Sequence, residues 1–172
     1  MNTAERKQDP QTNSYLTFQM NSEHFAVSVT KVTELLEMLP VTHVPKSPDF
    51  MRGVFNLRGA VVPVIDTRIK FSLPPRPDTI DTCIIVMNVT MDDDVIKIGA
   101  IVDSVSEVIE IPDEKILPLP TIGNKLRASF FLGVIKLEEK FIMVLDVDKV
   151  FTNEVIISLN QNEAAEHLEE HD

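Results

Sequence analysis

The chain has 172 residues, 44% hydrophobic and 25% charged, a globular balance that is neither disordered nor membrane-embedded and allows one ordinary domain or two small ones. Its net charge of −11, from 16 Lys+Arg against 27 Asp+Glu, disfavours nucleic-acid binding, which draws its affinity from neutralised phosphates. The single cysteine, Cys83, excludes an internal disulfide framework and any multi-Cys metal site.

Residues 1–14 (MNTAERKQDPQTNS) lack the apolar core of a signal peptide and read as a flexible polar arm. No stretch approaches the ~18 apolar residues of a membrane span, so a cytoplasmic protein with no direct membrane insertion is expected. Leu16-Thr17-Phe18-Gln19-Met20 and Phe25-Ala26-Val27-Ser28-Val29 alternate as half-buried strands do, with Asn21-Ser22-Glu23-His24 as turn chemistry between them. Over residues 28–38, Val32, Leu35, Leu36 and Leu39 recur at helical spacing. The β-branched Val29, Thr30, Val32 and Thr33 oppose a helix and Pro40 ends it, so a helical turn followed by a strand is predicted. Cys83-Ile84-Ile85-Val86-Met87 is apolar on both faces and suits a strand buried on both sides. Met91-Asp92-Asp93-Asp94 turns into a strand over residues 95–102, and residues 141–145 form another. Frequent short strands punctuated by eleven prolines favour an all-β barrel or sandwich. Residues 160–172 hold five acids and no Lys or Arg, a solvated acidic tail whose removal leaves the body at −6.

The chain also contains itself twice. A shift of 80 lays residues 50–71 on residues 130–151 with identities at Phe50/Phe130, Gly53/Gly133, Val54/Val134, Leu57/Leu137, Val64/Val144, Asp66/Asp146 and Phe71/Phe151. Upstream, a shift of 73 aligns Val32-Thr33-Glu34-Leu35-Leu36-Glu37 with Val105-Ser106-Glu107-Val108-Ile109-Glu110. The extra residues of the second copy fit a long loop containing LPLPTIGNK (residues 117–125), and Leu73-Pro74-Pro75-Arg76-Pro77 is the crossing between copies. A duplicated β-unit follows, with an apolar seam expected between two units too small for generous cores alone. Asp66 and Asp146 each follow an apolar strand and read as helix N-caps. Where copy one has Asn56-Leu57-Arg58-Gly59, copy two has Lys136-Leu137-Glu138-Glu139. The fold therefore does not demand Arg58 at that hairpin tip, where Gly59 supplies a positive φ, and Arg58 becomes the leading candidate for function.

The segment Phe50-Met51-Arg52-Gly53-Val54-Phe55-Asn56-Leu57-Arg58-Gly59-Ala60-Val61-Val62-Pro63-Val64-Ile65-Asp66-Thr67-Arg68-Ile69-Lys70-Phe71 resembles the signature of the CheW family of chemotaxis coupling proteins. Val32-x-Glu34, Thr42-His43-Val44-Pro45 and Pro48 lead up to it in the same way, and the likeness runs over about residues 15–159. Thr67 stands where the family usually has leucine. The resemblance implies two intertwined five-stranded SH3-like β-barrels with short helical turns, laid out here as an arm (1–14), a CheW-like domain (15–159, with subdomains near 15–72 and 80–159 between which strand exchange is possible) and an acidic tail (160–172). It implies a non-catalytic adaptor without cofactor or metal, coupling the cytoplasmic tips of methyl-accepting chemotaxis receptors to the regulatory domain of the chemotaxis histidine kinase. By position, the receptor-facing groove would use Val32, Glu34, Leu36, Arg58, Gly59, Cys83, Val105 and Val108. Such a set makes an apolar trough with one arginine able to pair with a receptor acid, Glu34 holding it in place.

Rival readings are poorer in residues. An enzyme would need a nucleophile or a phosphate-cradling loop, and no G-x-G-x-x-G, P-loop or G-x-S-x-G motif is present. Cys83 lies in an apolar strand, where a thiol is usually inert, and His24 and His43 fall in turns without partners at close spacing. His167 and His171 are four apart in the acidic tail, a weaker reading than a solvated tail. A barrel for single-stranded nucleic acid wants a basic groove with exposed aromatics, against no Trp and one Tyr, Tyr15. A coupling protein of a related array controlling surface motility would carry the same residues.

Overall fold

A computed structural model describes residues 12–74, 76–119 and 129–151, which places the acidic tail, most of the arm and part of the 117–125 loop outside the described residues. The period-two patterns become strands: β1 (Thr12–Met20) and β2 (Glu23–Ser28), then a single 3-10 turn (Val29–Lys31) and β3 (Val32–Glu37). The expected helical turn followed by a strand is what forms, the β-branched Val32 and Thr33 going into the strand. β4 (Met51–Leu57), β5 (Ala60–Asp66) and the one-turn helix α1 (Thr67–Lys70) complete the first half. The second half runs β6 (Cys83–Met91), β7 (Asp94–Val102), β8 (Ser104–Pro112), a 3-10 turn (Asp113–Lys115), β9 (Ile116–Leu117), β10 (Phe131–Leu137), β11 (Lys140–Leu145) and α2 (Val147–Val150). β1 starts earlier than the alternation suggested: Thr12, Asn13 and Ser14, expected in the arm, pair with Pro112, Ile111 and Glu110. The first turn is also tighter than expected, Asn21-Ser22 alone, with Glu23 and His24 already in β2.

Two sheets result, in the orders β8-β1-β2-β11-β10-β9 and β3-β6-β7-β5-β4. The protein is all-β, and neither sheet is one half of the sequence. The hairpin β1–β2 leaves the first half to lie between β8 and β11, and β6–β7 leaves the second half to lie between β3 and β5. The second sheet has the expected five strands. The first gains a sixth, because β9 pairs with β10 through two residues where copy one makes only the single bridge Thr42↔Val54.

Each repeated residue finds a repeated job. β5 lies parallel to β7 and β11 parallel to β2, and both β4 and β10 carry an irregularity beside the shared glycine. A Cβ on Gly53 would stand 2.4 Å from the Thr42 carbonyl oxygen, and one on Gly133 would stand 2.5 Å from that of Leu117, so both positions exclude a side chain where a neighbouring chain crosses. Asp66 N–H donates to Phe50 O at 2.6 Å and Asp146 N–H to Phe130 O at 2.7 Å. Both aspartates cap as expected, Asp66 accepting from Arg68 N–H and Asp146 from Lys149 N–H.

Three apolar clusters hold the sheets. Tyr15, Ala26, Ile135 and Val144 line the interior of the first, and Phe55, Val64, Ile84 and Ile101 that of the second. The largest is the expected seam, where Phe18, Met20 and Phe25 of one sheet meet Met51, Ile65, Ile85 and Met87 of the other under Phe71 and Phe151. Phe18, Phe25 and Phe71 stack in series at about 5.8 and 5.9 Å between ring centroids. The Lys70 ammonium sits 4.5 Å from the Phe50 ring and 5.8 Å from the Phe130 ring, a cation held by the same residue of each copy.

Candidate functional site

Leu57 pairs with Ala60, so Arg58 and Gly59 form a two-residue loop between β4 and β5. Both have positive φ, +50° and +89°, the type I′ geometry whose twist matches that of the strands it joins. From this tip the Arg58 guanidinium donates to the Glu34 carboxylate on β3. The hydrogen bond to Glu34 and its charge raise the Arg58 pKa, fixing the cation. The arginine side chain remains 66% exposed while Glu34 is 25% exposed, so the pair presents its positive end to solvent.

Three other groove candidates border the seam, Val32 and Cys83 at opposite ends of the β3–β6 pairing. Val32 on β3, Cys83 at the start of β6 and Val105 on β8 all pack, half-buried, against the seam cluster. Burial, reinforced by Asp81, pushes the Cys83 thiol above its ordinary pKa and keeps it protonated. Leu36 packs instead against the interior of the second sheet. Val108 is 57% exposed on β8, a surface residue rather than a core one, as is its repeat counterpart Leu35 at 47%. Gly59 is exposed at the tip, and a Cβ there would meet nothing within 4 Å.

A second charged constellation escaped the sequence. Arg68, in α1, is buried, and its guanidinium makes a bidentate pair with Asp66 (Nε to Oδ1 2.9 Å, Nη2 to Oδ2 3.0 Å). It also donates to Asp103 Oδ1 at 2.9 Å and Asp78 Oδ1 at 3.1 Å. Arg52 reinforces Asp66 and Asp78 at 3.0 and 3.2 Å, and Arg76 approaches Asp103 at 3.5 Å. Burial pushes the Asp66 carboxyl up, but the hydrogen bonds and charges of Arg68 and Arg52 together hold it below the ordinary carboxylate range. Three arginines facing three aspartates tie the inter-copy segment and the β7–β8 turn to α1. The arrangement is a structural lock, since its central guanidinium is spent on protein carboxylates.

Beside it, Thr67 Oγ1 is buried with no hydrogen-bond partner among the described residues. Among the described residues no cluster of three or more His, Cys, Asp or Glu could hold a metal ion, and no helix is long and apolar enough to cross a membrane.

Comparison with known proteins agrees with the fold. Residues 14–155 match the family described as CheW-like domain. The chain is 32% identical over 153 residues to the chemotaxis protein CheW of Klebsiella aerogenes, covering 89% of each. It is likewise 32% identical over 139 residues to that of Bacillus subtilis, covering 81% of this chain and 86% of the relative. The crystal structure of the scaffolding protein TtCheW from Thermoanaerobacter tengcongensis superposes with a TM-score of 0.73 at 29% identity, over 82% of this chain and 93% of that one.

Proposed function

The chain belongs to the CheW-like domain family, and on that premise we propose that it is a non-catalytic coupling protein of chemotaxis, joining the cytoplasmic tips of methyl-accepting receptors to the regulatory domain of the chemotaxis histidine kinase. Its place is then the cytoplasm, at the receptor arrays. The relatives bear chemotaxis names and the solved structure is called a scaffold, which supports an adaptor rather than an enzyme.

One observation carries the receptor half of this reading. Arg58 is held by Glu34 with its cationic end in solvent, while Val32, Cys83 and Val105 expose part of an apolar seam between the sheets. A helical receptor tip with apolar anchors and an acid suits such a surface. Glu138 occupies the equivalent tip of β10–β11, also at positive φ, so the hairpin itself does not require an arginine.

Substituting Arg58→Glu tests the assignment. The melting temperature should stay nearly unchanged, because exposed ion pairs contribute little to stability. Affinity for a soluble receptor-tip hairpin should fall by more than about tenfold as attraction turns to repulsion. Binding of the kinase regulatory domain, titrated separately, should be spared. Normal receptor binding by a folded variant would refute the groove; unfolding would make Arg58 structural.

A further inference from the structure

We propose that Asn56 is a positioning residue, whose side-chain carbonyl sets the turn that aims Arg58 into the groove. The inference rests on the receptor-binding role given to Arg58 above. Asn56 Oδ1 accepts a hydrogen bond from the Gly59 N–H at 2.9 Å, reaching across the loop from the last-but-one residue of β4. The amide of a central loop residue lies outside the strand ladder, so the asparagine supplies it with a partner and holds the loop in one form.

The second copy provides an internal control. β10 and β11 close with the same register, Leu137 pairing with Lys140 as Leu57 pairs with Ala60. There the loop is Glu138-Glu139, and only Glu138 has positive φ, at +57°, so the second positive φ that type I′ requires is missing. Lys136 stands where Asn56 stands, and its ammonium has no acceptor to offer the loop amide. Ladder register therefore does not choose the turn; the residues at its tip do. Glu138 takes the first positive φ as Arg58 does without any such acceptor, so what the Asn56 bond holds is the second residue of the turn, Gly59. Gly59 answers the second positive φ, and space has no part in it, since a Cβ there would touch nothing. Asn56, Arg58 and Gly59 form one device: acceptor, aimed cation and permissive hinge.

The test is a double-mutant cycle of Asn56→Ala with Arg58→Ala, titrated against a purified receptor-tip hairpin, with amide exchange at Gly59 followed by NMR. Asn56→Ala should weaken binding by about fivefold to tenfold, leave melting unchanged and speed exchange at Gly59. In the Arg58→Ala background it should add nothing, because it acts only through that arginine. Asn56→Asp, which keeps an acceptor, should recover most of the affinity. Gly59→Ala, which strains the same turn without a clash, should show the same dependence on Arg58. Normal binding by Asn56→Ala while Arg58→Ala binds poorly overturns this inference alone, as does a loss that adds fully to that of Arg58→Ala. Normal binding by Arg58→Ala overturns the groove reading, and this inference with it.

Discussion

Replacing Arg68 by alanine should be the most damaging single change to a charged residue in this protein. Four charge-assisted hydrogen bonds disappear, two to Asp66 and one each to Asp78 and Asp103. Asp78 and Asp103 are partly exposed and can turn to water, so their bonds count for little. Asp66 is 3% exposed and cannot. Removing one partner of a buried pair typically costs about 3–5 kcal/mol. Arg52, 3.0 Å from Asp66, softens the loss and places the expectation near the lower end, ~3 kcal/mol. In a urea titration at pH 7 that lowers the midpoint by roughly 1–2 M. The sign of the pH effect adds a second check. In the native protein the Asp66 pKa lies below its unfolded value, so its stabilisation is complete above about pH 4 and is lost as pH falls through the depressed folded value. In Arg68→Ala burial prevails and pushes Asp66 up, and the variant regains stability relative to the native protein as pH falls from 7 towards 4. A loss below about 1 kcal/mol, or a deficit that stays constant on acidification, would refute the reasoning.

Gly53→Ala and Gly133→Ala should each destabilise by about 1–3 kcal/mol in denaturant titrations, because the new methyl meets a backbone carbonyl that must move. Thr67→Val, which removes a buried hydroxyl without a partner and keeps the shape, should raise stability by about 1 kcal/mol in thermal melts; a loss would mean that the hydroxyl is bonded. Cys83, whose raised pKa leaves little thiolate at pH 8, should alkylate more slowly than a free cysteine, and more slowly still with the receptor tip bound. An unchanged rate in the complex would place Cys83 outside the groove.

The sequence carried the duplication because its shared residues answer local demands. A glycine where a carbonyl crosses, an aspartate that caps the next turn and a leucine before a two-residue loop each leave a mark at a fixed offset. Strand exchange was visible only as a possibility, since pairing partners such as Thr17 and Glu107 stand 90 positions apart and no local pattern encodes them. The reach of Arg68 to Asp103, 35 residues away, was invisible for the same reason, although its main partner Asp66 is only two residues distant. Arg68 also limits the inference that singled out Arg58. It too lacks a repeat counterpart, since Asp148 stands at the equivalent position and pairs with Lys31 at 2.9 Å, yet the structure buries Arg68. A charge present in one copy alone marks either a surface task or an internal one, and exposure separates the two.

The exchanged hairpins also dictate an order of events during synthesis. β1 and β2 leave the ribosome first, but their sheet neighbours β8 and β11 are made only after the whole second sheet has emerged. The second sheet can close once β7 is complete, whereas Phe18, Met20, Phe25 and Val27 must wait with both edges of their hairpin unpaired. Long-range pairing of this kind folds slowly and exposes apolar edges meanwhile. Nascent chains in which residues up to 103 have emerged from the ribosome and β8 has not should therefore display a formed second sheet and a sticky, protease-sensitive amino-terminal hairpin, and chaperones that recognise extended apolar strands should bind there. The segment that is made first is the last to find its place.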